Sequence, residues 1–271
     1  MIELRRVLAR ALPAGVKQRL RRWLCGPMPA SLPAAAPPAW PTVPLALAPG
    51  RQLAIVPGDL ISDGIAATGV WEAELSQRLV ALARAGGTLL EVGANIGYFS
   101  VLWAAQSAAC RVLALEPAWR NLELLHHNLR LNGLTSQVDV LPIAAGHRTG
   151  LMRFDPGPPA QTGWGGVVTD ARAGTLLVAM LPLDELLPGD FVAAVLKIDV
   201  EGADTWVLQG CRRLLAERRA GVVFFEQNLP RLNALGIDPG AAERLLAELG
   251  YRVEPITPVG AEVVEYAAYP S

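Results

Sequence analysis

Lysine is almost missing from this sequence. Lys17 and Lys197 are the only two among 24 basic residues. Arg supplies the rest, so Lys197 stands out, because Lys and Arg are not equivalent inside a site. Acids balance the bases to a formal net charge of −1, which lacks the basic excess of a nucleic-acid binder. No apolar run reaches the ~18 residues of a membrane span. The N-terminus also lacks the continuous apolar core of a secretory signal. Cys25, Cys110 and Cys211 are odd in number, far apart and without C-x-x-C spacing. Reduced thiols in a cytoplasmic protein, with no zinc site, are expected.

With 271 residues, 52% of them hydrophobic, the chain can bury one sizeable core. Residues 1–25 place seven basic side chains between apolar ones, with Glu3 the only acid. They read as a basic amphipathic helix, suited to membrane-surface contact, or as a solvated extension. Eight prolines between Pro27 and Pro49 remove amide donors and fix φ, as in a linker. A basic, proline-rich extension over residues 1–49 and one domain over 50–271 are therefore expected.

The stretch Leu89-Leu-Glu91-Val-Gly93-Ala-Asn95-Ile-Gly97-Tyr-Phe-Ser100 organises that domain. It reads as strand, tight turn, helix, the first unit of a parallel α/β sheet. Glycine lets the backbone turn sharply and approach a ligand, and the next helix points free amides at it. Dinucleotide-binding turns carry G-x-G-x-x-G with a pyrophosphate on the helix N-terminus. Here no G-x-G is present. An acid two residues before the first glycine repels a pyrophosphate and suits an amino group or a sulfonium. The expected cofactor is thus S-adenosylmethionine. A glycine-rich turn that binds nothing is the plainer alternative.

Residues 111–116 read as a second buried strand ending in Glu116, nineteen positions after Gly97. An acid there accepts hydrogen bonds from both ribose hydroxyls, unless it is simply a solvated strand end. A helix is expected over 118–132, stopped by Gly133, with His126 and His127 on its surface. Residues 138–146 read as the third strand, whose small final residues leave room for adenine near Ala144. Gln161–Gly166, rich in glycine around Trp164, is either a lid over the acceptor or a flexible hairpin connection. Trp71-Glu72 either lines the acceptor pocket or starts a helix over 70–85.

In Phe191-Val-Ala-Ala-Val-Leu-Lys197-Ile-Asp199-Val-Glu201-Gly202 an apolar run suited to a strand buried on both faces turns charged at alternate positions. If the strand stays extended, Lys197, Asp199 and Glu201 share one face. Unpaired buried charge is costly, and open α/β sheets bind ligands at the carboxyl ends of their strands. Asp199 is the candidate base or orienter of the cofactor's amino group, and Lys197 either pairs with Asp199 or stabilises the forming alkoxide, with Glu201 and Glu226 as further catalytic candidates. Asp199 and Glu201 could instead hold a divalent metal through oxygen; no metal is assigned. A purely structural ion network is the alternative. Glu226 ends another apolar strand near the same pocket.

The sequence resembles the FkbM family of S-adenosylmethionine-dependent methyltransferases. The matching text is Glu91-Val-Gly-Ala-Asn-Ile-Gly-Tyr-Phe-Ser, Glu116-Pro117, Asn128-Leu-Arg-Leu-Asn132, Lys197-Ile-Asp-Val-Glu-Gly202 and Glu226. The resemblance implies a Rossmann-like class I methyltransferase fold, with a mainly parallel seven-stranded sheet and helices on both faces. It implies methyl transfer to a hydroxyl oxygen of a small molecule or glycan, such as a sugar, a glycolipid or a polyketide. It carries cofactor binding onto Glu91, Gly93, Asn95, Gly97 and Glu116. Two other readings remain. An NAD-type oxidoreductase would need the missing G-x-G-x-x-G and a Tyr-x-x-x-Lys. A non-catalytic scaffold would not need acids at so many strand ends.

Overall fold

The structure is a computed structural model that describes residues 40–170 and 174–271. The basic segment 1–25 lies outside the described residues, as does most of the proline-rich stretch. The described chain opens with an antiparallel hairpin of β1 (Thr42–Pro44) and β2 (Gln52–Ala54). It straddles the expected boundary at residue 50, and Leu45 and Ala48 are buried in the core. Pro44 sits within edge strand β1, where a missing amide costs least.

The main sheet contains β3 (Gly87–Val92), β4 (Cys110–Leu115) and β5 (Val138–Leu141). A side sheet contains β6 (Ala144–Ala145), β7 (Gly150–Asp155), β8 (Gly166–Val168) and β9 (Leu176–Leu181). The main sheet resumes with β10 (Ala193–Ile198), β11 (Ala220–Asn228), β12 (Tyr251–Pro255) and β13 (Val263–Pro270). Its order is β12-β13-β11-β10-β3-β4-β5, and only β13 pairs antiparallel with its neighbours. This is the seven-stranded, mainly parallel Rossmann-like sheet expected of the class I methyltransferase fold.

Strand β3 shows why it sits at the centre. Alternate side chains serve opposite faces of a strand. Leu89 belongs to the core cluster that holds Leu79, Leu102 and Trp103, and Leu90 to the one that holds Leu196, Val207 and Leu246. From β3 the chain moves outward through β4 and β5, then returns to β10 on β3's other edge. The sheet's connections thus diverge between β3 and β10, and a crevice opens at their carboxyl ends.

The third strand differs from expectation. It splits after Leu141 into β5 and β6, which belong to different sheets. Pro142 has no amide to continue the ladder, and Ile143 turns back to donate to Leu141 at 2.9 Å. The helix expected after the turn is Tyr98–Ala104, and it starts only at Tyr98 because Asn95 and Gly97 are left-handed. The helix Trp119–Leu131 forms where expected and buries Leu122, Leu124, Leu125 and Leu129.

That helix staples the hairpin to the body. Buried Asn128 accepts from the Ala54 amide at 2.7 Å and donates to the carbonyls of Ala54 (3.2 Å) and Ile96 (2.9 Å). Asn132 does the same for Gln52, accepting at 3.1 Å and donating at 2.7 Å. Asn128→Ala leaves several buried backbone groups unpaired, so it should cost about 2–4 kcal/mol. Urea unfolding checks this: the midpoint falls while the slope stays unchanged.

Candidate active site

The turn after β3 is built so that two backbones can touch. Gly93 has φ +87, and a Cβ there would lie 1.8 Å from the Asp199 carbonyl oxygen. The end of β3 and the end of β10 can therefore meet only at a glycine. Gly97, at φ +85, packs with its Cβ position 3.1 Å from Leu125, which seats the helix Trp119–Leu131. Glu116, at the end of β4, is buried and ties the turn down. It accepts from the Asn95 and Ala118 amides, each at 2.8 Å. Burial pushes its carboxyl up to about 7, against the pull of those donors.

A cleft with about 960 Å³ of space, counting its open mouth, lies over this turn. Of the expected residues, Gly93, Asn95, Glu116, Ala144, Asp199, Glu201 and Glu226 line it. Trp71 and Glu72 line it too, although they also precede the helix Ala73–Ala83.

Three expected residues lie off the cleft wall. Glu91 is buried beneath it, accepting from the Ser100 hydroxyl, with its carboxyl pushed up to about 7 by burial. Gly97 serves packing, as described. Lys197 is only 2% exposed and stands behind Asp199, 2.9 Å from its carboxylate and 4.5 Å from the centre of the Phe99 ring. Burial works against the Lys197 charge, but Asp199, Glu72 and Glu91 outweigh it and raise its pKa. Lys197 thus holds its proton and serves as a fixed countercharge.

The extended-strand expectation fails beyond Ile198, where β10 ends. Lys197 and Asp199 do share a face. Glu201 reaches the cleft through a turn instead, with φ +55. Gly202 follows at φ +90, and a Cβ there would lie 2.4 Å from Arg231 Cβ. That close approach brings Arg231 to Glu201 at 3.7 Å. Arg231 also donates to the Trp164 carbonyl at 3.0 Å. The glycine of the Lys-Ile-Asp-Val-Glu-Gly stretch thus makes room for an arginine that no local pattern marks.

The remaining acids crowd together. Glu226 on β11 stands opposite Glu265 on β13. Burial first, then Asp199, Asp204, Glu201 and Glu72, push the Glu226 carboxyl up to about 10. Glu72 is left-handed at φ 43 and accepts from the Trp71 indole at 2.7 Å. Burial raises it to about 8, although Lys197 pulls the other way. Asp204 is buried and accepts from the Glu226 amide at 3.1 Å. Asp204 continues the charge run of 197–201, which is the signal that could have found it; Glu265 carries none. Among the described residues, no group of three or more His, Cys, Asp or Glu is arranged to hold a metal.

The Gln161–Gly165 segment forms a strap along the cleft, and several groups pin it. Buried Asp59 accepts from the Thr162 amide at 2.7 Å and from its hydroxyl at 3.1 Å. Arg120 donates to the carbonyls of Pro156, Pro158 and Gln161. Asn121 donates to the Thr162 carbonyl at 3.0 Å.

The raised carboxyls set the pH dependence of stability. Glu226 binds its proton in the folded state up to about pH 10 but in the unfolded state only to about pH 4.5. Its stability contribution is full below the lower value and is lost as pH rises through the upper one. Thermal melts at pH 5.5 and 8.5 should show the protein less stable at pH 8.5. Glu226→Gln should narrow that gap.

A family model described as the methyltransferase FkbM domain matches residues 91–253, more than half of the chain. None of the curated proteins compared with the chain matches it. Among solved structures, the methyltransferase FkbM from Methylobacillus flagellatus KT is 20% identical with a TM-score of 0.46. That alignment covers 68% of this chain and 43% of the other, so the chain spans less than half that protein's length. The precorrin-6y C5,15-methyltransferase of Geobacter metallireducens is 16% identical, with a TM-score of 0.44 over 74% of this chain and 90% of that one. The O-methyltransferase TomG of Streptomyces achromogenes, determined in complex with S-adenosylmethionine, is 18% identical, with a TM-score of 0.41 over 74% and 82%. Because the family model covers both the β3 turn and the Lys197–Gly202 stretch, the chain belongs to the FkbM methyltransferase family.

Proposed function

We propose that the protein transfers a methyl group from S-adenosylmethionine to a hydroxyl oxygen of a small molecule or glycan. One observation carries this reading. Among the described residues, Glu72, Glu116, Asp199, Glu201 and Glu226 line the cleft, and no Lys, Arg or His does. An acceptor-rich wall of this kind repels phosphate and favours a ligand with a cation and hydroxyl donors. It therefore argues against a dinucleotide and fits a sulfonium nucleoside. Buried Asn95 and Asn121 side-chain oxygens that lack partners add to that fit.

In this reading Glu116 and Asn95 hold the nucleoside side, beside the Ile143–Ala145 wall. Asp199 and Glu72 face the cationic side. S-adenosylmethionine supplies a methyl group on a sulfonium sulfur, which is a good leaving group. Asp199, anchored by Lys197, is the carboxylate that takes the acceptor's hydroxyl proton. Glu226, with its carboxyl near 10, carries a proton at neutral pH and donates a hydrogen bond. Trp71 and Trp164 supply apolar walls for the acceptor, and Arg231 holds Glu201 and the strap in register. The acceptor in this reading is not a nucleic acid. Membrane-surface contact is left to the basic residues 1–25.

Calorimetric titration tests this. S-adenosylhomocysteine should bind at micromolar concentration and NAD should not. Glu116→Ala should weaken that binding at least about tenfold, or ~1.4 kcal/mol. Binding of NAD alone, or of neither compound, would overturn the reading.

A further inference from the structure

The cleft has a rim that its own contents cannot cover. Leu60 opens the helix Leu60–Thr68, Trp119 opens the helix Trp119–Leu131, and Trp164 lies in the strap. They are 60%, 68% and 49% exposed. Hydrogen bonds bring these three segments to one place. The Gln161 side chain accepts from the Leu60 amide at 3.1 Å and donates to the Gly58 carbonyl at 3.0 Å. Arg120, next to Trp119, donates to the carbonyls of Pro158 at 2.8 Å and Gln161 at 2.7 Å. Leu60 and Trp164 also line the cleft, whereas Trp119 stands outside it. An acceptor in the cleft therefore leaves part of the rim in water.

The strap side of this rim is uncharged. No charged residue lies between Asp155 and Asp170, and Pro158, Pro159 and Ala160 are exposed within that stretch. Arg120 and buried Asp59 spend their polar groups on the strap itself. Exposed apolar groups gathered in this way mark a protein or membrane contact, and tryptophan favours the membrane–water interface. No helix among the described residues is long and apolar enough to cross a membrane, so the fitting contact is a peripheral one. Asp63 and Glu123, exposed on the two helices, border the rim. The rim thus supplies apolar area but no attraction for anionic lipid.

Stable peripheral binding takes two signals, apolar insertion and charge. The charge is in residues 1–25, where seven bases stand against Glu3 alone. Residues 26–39 join them to Trp40 by at most about 50 Å of chain, so the bases stay within reach of the domain. We propose that the mouth of the cleft docks on an anionic lipid surface, with Leu60, Trp119 and Trp164 in the interface and the basic residues 1–25 on the headgroups. The docking stands without the methyl-transfer reading. One consequence rests on that reading: a cleft that opens onto headgroups takes its hydroxyl acceptor from a lipid.

Sedimentation of the full chain with vesicles tests this. The wild type should bind vesicles of phosphatidylcholine with phosphatidylglycerol, and bind pure phosphatidylcholine at least about tenfold more weakly. Added salt should weaken the binding, because it screens the charge. Trp119→Ser combined with Trp164→Ser should cut binding at least about tenfold, with an unchanged thermal melt, since both side chains are exposed. Val192→Ser should change nothing: Val192 is 59% exposed but precedes β10, at the end of the strand away from the cleft. Brominated acyl chains should quench the fluorescence of the wild type more than that of the doubly substituted chain. No binding to the anionic vesicles, or equal binding by the wild type and the doubly substituted chain, overturns the proposal. Equal binding to both kinds of vesicle overturns the anionic partner. A dimer in light scattering that the double substitution splits, with vesicle binding unchanged, would make the rim an interface between copies instead. Vesicle binding by a chain that does not bind S-adenosylhomocysteine would keep the docking and overturn the lipid-borne acceptor.

Discussion

The site depends on one crowded charge balance. Glu72, Glu91, Asp199, Glu201, Asp204, Glu226 and Glu265 converge at the carboxyl ends of neighbouring strands, and among the described residues Lys197 is the one ammonium buried there. Carboxyls this close cannot all ionise in a low-dielectric interior. Several therefore keep a proton, and the pKa values of Glu72 and Glu226 rise most. Lys197 can sit behind Asp199 rather than in the cleft because its charge is claimed from several sides. This is why a strand of otherwise apolar residues tolerates a lysine at its end. Removing one partner from such a cluster leaves uncompensated charge, which is costlier than never having placed it.

Glycines decide where these charges meet. At Gly93 and Gly202 a side chain would collide with the next strand end or the next helix. Their absence of a Cβ brings β10 against the β3 turn and Arg231 against Glu201. Both also take positive φ, which other residues adopt at a cost. Charge and backbone are therefore coupled. The Lys-Ile-Asp-Val-Glu-Gly stretch works as one unit because its last residue admits the arginine that its fifth residue needs.

Much of this was legible in the sequence. Two apolar runs ending in Glu91 and Glu116, and a third turning charged at Lys197, fixed the sheet and the edge that carries the cleft. Local strand logic failed where the chain stopped being a strand. Alternation placed Lys197 and Asp199 correctly and Glu201 wrongly, because β10 ends at Ile198. Glu91 reads as a ligand contact by its distance from Gly93, yet it lies under the turn, since the last residues of a central strand are covered on both faces. Asp59, Asn121, Arg231 and Glu265 come from elements far apart in the chain. Only tertiary packing brings them together, and no spacing records it. The hairpin at residues 42–54 was hidden for a related reason. Proline marks where a ladder loses a donor, but an edge strand tolerates that loss.

The cleft as folded is unbalanced in a definite direction. Its wall carries carboxylates and buried amide oxygens that lack hydrogen-bond donors, while its basic groups stand behind it, committed to Asp199 or Glu201. A bound cation would relieve repulsion that the protein otherwise relieves by holding protons. Hydroxyl donors would satisfy oxygens that now have no partner. Each complementary element is a property of the ligand, so this imbalance favours a sulfonium nucleoside over a phosphate-bearing one. Selectivity of this kind needs no extra contact. It follows from the acids that the sheet gathers at its switch point and from the scarcity of cations placed among them.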